Sequence, residues 1–200
     1  MHVCAPVVMA VAALMTAAAC AGQPASSSHL ADHQRTASTQ IPDEWHTYAS
    51  AELGVTFRYP GRYFHVDTHE RAASGHQAVA LIEDTPENRD VVAGRVRTAR
   101  EGPPSITLGV FAGGPEPVDL AGWIRGNKDS HYALALDAAP RPATVAGQPA
   151  LTYRWDGLYA GESVAVARAG RIYLWSVTYL DAADAILRDF RDIIGTFSFM

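Results

Sequence analysis

The sequence predicts an α+β domain, an antiparallel β-sheet packed by helices, and three observations carry that prediction. Val55, Phe57 and Tyr59 alternate with Thr56 and Arg58, the two-residue period of a strand with one buried face. Residues 151–179 read as a meander of strands joined by short turns. Two further segments, 119–126 and 181–195, carry their apolar residues at helical spacing instead.

Taken in order, "GVTFRYP" ends on Pro60-Gly61, which turns the chain, and "YFHVDTH" continues as an extended segment. Strands follow at 77–83 and 105–111, the second with Ile106, Leu108 and Val110 on one side. A polar stretch of about twenty residues separates them, and part of it is expected to be helical or mobile, because structureless loops of that length are uncommon in compact domains. In "DLAGWIRG", Leu120, Trp123 and Ile124 stand at i, i+3 and i+4. "ALTYRWD" then sets Leu151, Tyr153 and Trp155 on one face, and "ESVAVARAGRIYLWSVTYL" gives two strands around Ala169-Gly170. Ile172, Tyr173, Leu174, Trp175 and Val177 leave neither face polar, so 171–179 is expected to be a central strand covered on both sides. In "DAADAILRDFRDIIG" the residues Ile186, Leu187, Phe190, Ile193 and Ile194 form an apolar stripe, with Asp181 as the expected N-cap and Gly195 as the expected stop.

Ahead of this domain the chain has a different character. Residues 1–19 contain no Asp, Glu, Lys or Arg and are almost wholly apolar from Val3 to Ala19, about the length of a secretory h-region. Ala17-Ala18-Ala19-Cys20 resembles the lipobox of bacterial lipoproteins, in which a signal peptidase cuts before the cysteine and its thiol carries diacylglycerol. That resemblance implies lipid attachment at Cys20 and a protein held on the extracytoplasmic face of a cell membrane. The alternative is an ordinary secretory peptide whose A-x-A site happens to precede a cysteine. Cysteine usage supports acylation: the only other cysteine, Cys4, lies in the segment to be removed, so the mature chain has no internal disulfide to make. Residues 20–42 are rich in Ser, Ala, Thr and Gln and read as a disordered tether, leaving 43–200 as the globular domain. His29 and His33, with Asp32 between them, are read as part of that solvated tether and not as a metal pair.

Composition excludes some functions. The chain is 48% hydrophobic and 18% charged with a formal net charge of −5, the balance of a globular domain and not of a nucleic-acid clamp. Arg89, Arg95, Arg97 and Arg100 form a local basic stretch, but Asp84, Glu87, Asp90 and Glu101 are interleaved with it, so a solvated face is expected. No nucleophile elbow, phosphate loop, dinucleotide fingerprint or H-E-x-x-H motif is present. Asp129, Ser130 and His131 are consecutive and therefore project in different directions, which suits capping better than a charge-relay triad.

Two constellations remain. On a strand, His65, Asp67 and His69 fall on one face at two-residue spacing, a donor set suited to a divalent metal, with Glu70 and His76 nearby. The same alternation describes an ordinary polar outer face, which is the reading adopted, with no metal or cofactor assigned. The aromatic residues Trp45, Tyr48, Tyr63, Trp123, Tyr132, Trp155, Tyr159, Tyr173, Trp175 and Tyr179 are candidates to line an apolar pocket, but most stand at core-facing positions.

With "YASAELGVTFRYPGRY" at the front, "TVAGQPALTYRW" in the middle and "FRDIIGTFSF" at the end, residues 45–200 resemble the PsbP-like superfamily, which includes DcrB and the LpqN-type actinobacterial lipoproteins. The resemblance implies an α/β/α sandwich around an antiparallel sheet. It also implies a non-enzymatic binding or accessory role with no shared catalytic site; together with the lipid anchor, the first reading is a membrane-anchored extracytoplasmic module whose partner is another envelope protein. A carrier or sensor of a small apolar envelope molecule, such as a lipid, is the second reading.

Overall fold

The computed structural model describes residues 44–68, 76–96, 102–114 and 116–200. Ten strands, three α-helices and two single-turn 3-10 helices, Lys128–Ser130 and Tyr132–Leu134, occur among them. A seven-stranded antiparallel sheet has the order β3 (Tyr63–Thr68), β4 (His76–Glu83), β5 (Ser105–Ala112), β9 (Arg171–Tyr179), β8 (Ala160–Arg168), β7 (Gln148–Asp156), β6 (Arg141–Val145). A smaller sheet joins β1 (Trp45–Ser50), β2 (Val55–Pro60) and the two-residue β10 (Ser198–Phe199). The helices are α1 (Pro86–Val92), α2 (Leu120–Gly126) and α3 (Ala185–Thr196).

The run 171–179 is the middle strand of the large sheet, as its two apolar faces require. Its odd-numbered residues Tyr173, Trp175 and Val177 point into the main core with Phe57 of β2 and Phe190 and Ile193 of α3. Ile172 and Leu174 point the other way, into a second core closed by Ile124 of α2. The result is three layers, with α3 and the small sheet on the inner face of the large sheet and α2 on the outer face.

Alternation across β2 places Val55, Phe57 and Tyr59 in the main core, with Arg58 exposed. The polar stretch after β4 does contain a helix, α1, started by Thr85, whose hydroxyl accepts from the Asn88 N–H, and by Pro86 at its first position. Two strands carry little sequence signal: β1 has a mostly polar composition, and β6 is Arg-Pro-Ala-Thr-Val. Both are placed by tight connections to a strongly patterned neighbour. The β6–β7 and β8–β9 hairpins each turn on two residues with positive φ, Ala146-Gly147 and Ala169-Gly170.

Three expectations are corrected. Asp181 is not the cap of α3: its carboxylate accepts from Ala183 N, and Asp184 occupies the N-cap position while its own carboxylate accepts from Leu180 N and Asp181 N. Gly195 does not stop the helix, which runs to Thr196 because the Thr196 hydroxyl ties this end to the β2 backbone at Arg58. Finally, the His65 and Asp67 face of β3 is not the outer one. It is the face of buried Tyr63 and looks toward the small sheet, where Tyr48 and Tyr59 reach it, while His65 and Asp67 themselves remain exposed, as expected of a polar face.

Candidate functional site

The outer face of the large sheet is only partly covered. Phe111, Tyr153, Trp155, Ala165, Ile172 and Leu174 lie with Ile124 of α2 in the second core. Beside this patch an open groove of about 330 Å³ crosses the sheet, within the size range of small-ligand sites. Its floor is made of small and hydroxyl-bearing residues on three adjacent strands: Ala78, Ser105, Thr107, Gly109, Ser176 and Thr178.

Two of the groove's walls are histidines stacked on aromatic rings. The His76 imidazole lies on Phe111 with centroids 4.5 Å apart and planes 23° apart; His131 lies on Trp155 at 4.5 Å and 17°. Behind each aromatic is a glycine where a Cβ would collide with the ring, Gly109 against Phe111 and Gly161 against Trp155. Absence of a side chain at these two positions is what lets the rings lie flat on the sheet. Trp155 is further fixed by its indole N–H, which donates to Ser163 Oγ at 2.9 Å, and Ser163 Oγ in turn bonds Ser176 Oγ at 2.9 Å.

The segment bearing Asp129 and His131 is held from below. Ser130 is fully buried, and its hydroxyl reaches the Ile124 and Asn127 carbonyls at 2.6 and 2.7 Å and accepts from Tyr132 N. Tyr153 donates to the Ser130 carbonyl at 2.7 Å, and burial pushes this phenol up to about 12. His131 takes the left-handed conformation, φ 59°, which swings its ring onto Trp155. Asp129 Oδ2 then stands 3.9 Å from His76 Nδ1, a buried nitrogen with no hydrogen-bond partner among the described residues.

Of Asp129, Ser130 and His131, the structure thus brings the first and third to the groove and commits the serine to carbonyl oxygens, the capping role expected of it. His65 and Asp67 share a face but are engaged by the small sheet: Tyr48 donates to Asp67 Oδ1 at 2.7 Å, and Tyr59 OH bonds His65 Nδ1 at 3.1 Å. Burial and the Asp67 carboxylate together push the Tyr48 phenol up to about 12. His69 and Glu70 lie outside the described residues, as do Cys20, the tether with His29 and His33, and Arg97, Arg100 and Glu101. Among the described residues no three His, Cys, Asp or Glu are grouped so as to hold a metal ion. Arg89 and Arg95 are paired with Asp84 and Asp90, and Arg89 also lies over the Phe64 ring. Its hydrogen bonds hold the Asp84 carboxyl below its ordinary range.

The aromatic candidates divide. Tyr48, Tyr63, Tyr159, Tyr173 and Trp175 are buried, and Trp45, Trp123, Tyr132 and Tyr179 pack against the two cores at partial burial. Trp155 alone among them lines the groove. The groove's other walls, Phe111 and His76, were not legible as partners of "DSHY", since over fifty positions separate His76 from Asp129. No helix of the described residues is long and apolar enough to cross a membrane.

No family model matches the sequence, and no curated protein matches it. Similarity appears at the level of structure. The solution structure of cyanobacterial PsbP (CyanoP) from Synechocystis sp. PCC 6803 superposes with a TM-score of 0.52 at 15% identity, covering 82% of this chain and 96% of that one. A crystal structure from Bacteroides thetaiotaomicron VPI-5482 matches with a TM-score of 0.42 at 8% identity, covering 77% of this chain and 48% of that one. The chain therefore has a PsbP-like α+β fold.

Proposed function

We propose that this protein is a lipid-anchored, extracytoplasmic binding module without enzymatic activity, attached to the cell membrane through Cys20 and working on another protein of the envelope. The observation that carries the binding role is the preformed groove, whose walls are fixed before any ligand arrives: each wall ring is sandwiched between a glycine and a histidine. Preorganised walls lower the ordering cost of association. A non-enzymatic role is supported by how the polar groups are used. The buried Ser130 and Asp189 are committed to hydrogen bonds that hold turns and helices, and the Ser176 hydroxyl is bonded to Ser163. Leu134, Leu136 and Leu158, all exposed, project from segments next to Trp155, an apolar fringe suited to a protein partner. Hydroxyls along the floor favour a polar occupant over the small apolar molecule of the second reading.

The anchor is tested by fractionating cells that express the wild type and Cys20→Ala. Release of the variant into the soluble fraction is expected, and unchanged membrane association overturns the anchor. The binding role is tested by placing a photo-crosslinking amino acid at Thr107 in the groove floor and at exposed Arg188 on α3. A discrete crosslinked species from the first position and not from the second is expected; equal labelling from both overturns the groove as the contact.

A further inference from the structure

We propose that the groove recognises a cation, an alkylammonium or guanidinium group seated on Asp129. This rests on the groove being the binding site and names the chemistry it selects. Asp129 is the one lining residue with a formal charge when the histidines are neutral. The ion pairs of the described residues give its carboxylate no Lys or Arg, and its nearest ionic neighbour, His76 Nδ1, is at 3.9 Å, beyond a hydrogen bond. His76 Nδ1 itself is buried with no hydrogen-bond partner among the described residues, so it neither donates to the carboxylate nor competes for it. The partly exposed Asp129 carboxylate is therefore the unspent acceptor of the groove, and an anion entering meets a like charge.

The walls fit the same ligand. A planar guanidinium stacks on ring faces and places its N–H groups in the ring plane, so the imidazole of His76 or His131 supplies the surface while Asp129 takes the hydrogen bonds. Thr107 and Ser176 on the floor add hydroxyl oxygens that accept from the remaining N–H groups. Such a group has two possible sources, a free small amine or a basic side chain of a protein partner.

The experiment titrates the purified full chain with agmatine, with the peptide acetyl-Gly-Arg-Gly-amide, and with benzoate and glucose as anionic and neutral probes, following binding by calorimetry and by the backbone amide signals of Thr107, Asp129 and Ser176. Agmatine is expected to bind and shift those signals, and Asp129→Asn, shown folded by its near-ultraviolet dichroism, is expected to weaken it about tenfold or more. Thr107→Val, which leaves the walls intact, is expected to weaken it by a smaller factor. Equal binding of the peptide identifies a protein side chain as the source, and exclusion of the peptide identifies a free amine; either supports the inference. Binding of benzoate or glucose in preference to agmatine, or agmatine binding indifferent to Asp129→Asn, overturns the cation assignment and leaves the groove as a site. Absence of any shift in the groove with all four probes overturns the cation assignment, while the crosslinking from Thr107 separately decides whether the groove binds a partner at all.

Discussion

Tyr63 of β3 and Asp189 of α3 share a buried hydrogen bond of 2.6 Å, and the Arg62 guanidinium pairs with the second oxygen of the same carboxylate. Asp189 is 4% exposed, an acid on the otherwise apolar inner face of α3. Its charge is tolerable there because both oxygens are occupied by donors from the other side of the interface.

Removing that carboxylate tests the docking of α3. Asp189→Ala leaves the buried Tyr63 hydroxyl without its acceptor and takes away the carboxylate that Arg62 pairs with on α3, and a loss of roughly 3 kcal/mol is expected, toward the lower end for buried pairs because Arg62 is partly exposed. Urea unfolding of the wild type and the variant measures it. A change under about 0.5 kcal/mol shows that the pair does not hold the helix.

Gly161 and Trp155 pair directly across β8 and β7, and a Cβ at Gly161 would overlap the indole ring. Gly161→Ala is therefore expected to lift Trp155 off the sheet, break its bond to Ser163 and disturb the His131 stack above it. The indole N–H resonance of Trp155 and tryptophan fluorescence report the displacement. A destabilisation of about 1–3 kcal/mol accompanies it, the usual cost of overpacking. Unchanged signals mean the ring is not held as described.

How far the sequence reached depended on whether the decisive partner was local. The two-faced apolar run at 171–179 could only be an inner strand, because every residue needed burial whichever way it pointed. The stripe from Ile186 to Ile194 likewise places α3, although which of the nearby aspartates, Asp181 or Asp184, starts it is settled only by hydrogen bonding. β3 shows the opposite case. Alternation put His65 and Asp67 on one face but did not say which face, and the small sheet whose Tyr48 and Tyr59 reach these two exposed side chains is contributed by a hairpin earlier in the chain. The groove was the least legible part. Its walls come from Gly109, Phe111, His76, His131, Trp155 and Gly161, which sheet register brings together with the left-handed turn that carries His131.

Two hairpin turns carry alanine where φ is positive. Ala146 has φ 46° and Ala169 has φ 49°, each followed by a glycine in the same region. A Cβ in the left-handed region costs about 1–2 kcal/mol, and asparagine tolerates it better than alanine. Ala169→Asn is expected to stabilise the β8–β9 hairpin by about 0.5–1 kcal/mol, read as a higher denaturation midpoint with unchanged m-value. A lower midpoint means that the turn is held by contacts that the larger side chain disrupts.

Alkaline stability follows from the buried phenols. Burial raises Tyr48 and Tyr153 to about 12 and also raises Tyr59 and Tyr63, the last with the help of the Asp189 carboxylate. In the unfolded chain a tyrosine ionises near 10. Between those values the folded protein holds protons that the unfolded chain has released, so unfolding becomes easier as pH rises. The stabilisation is fully present below pH 10 and is lost as pH climbs toward 12 and beyond. Denaturation midpoints at a series of pH values from 8 to 12 are expected to fall above pH 10. Phenolate absorbance of the native protein should stay below that of all eight tyrosines until the fold is lost. Midpoints flat through this range, or full ionisation of the native state near pH 10, contradict the burial of these four hydroxyls, and Tyr153→Phe, which removes one of them at constant shape, should reduce the slope if the assignment holds.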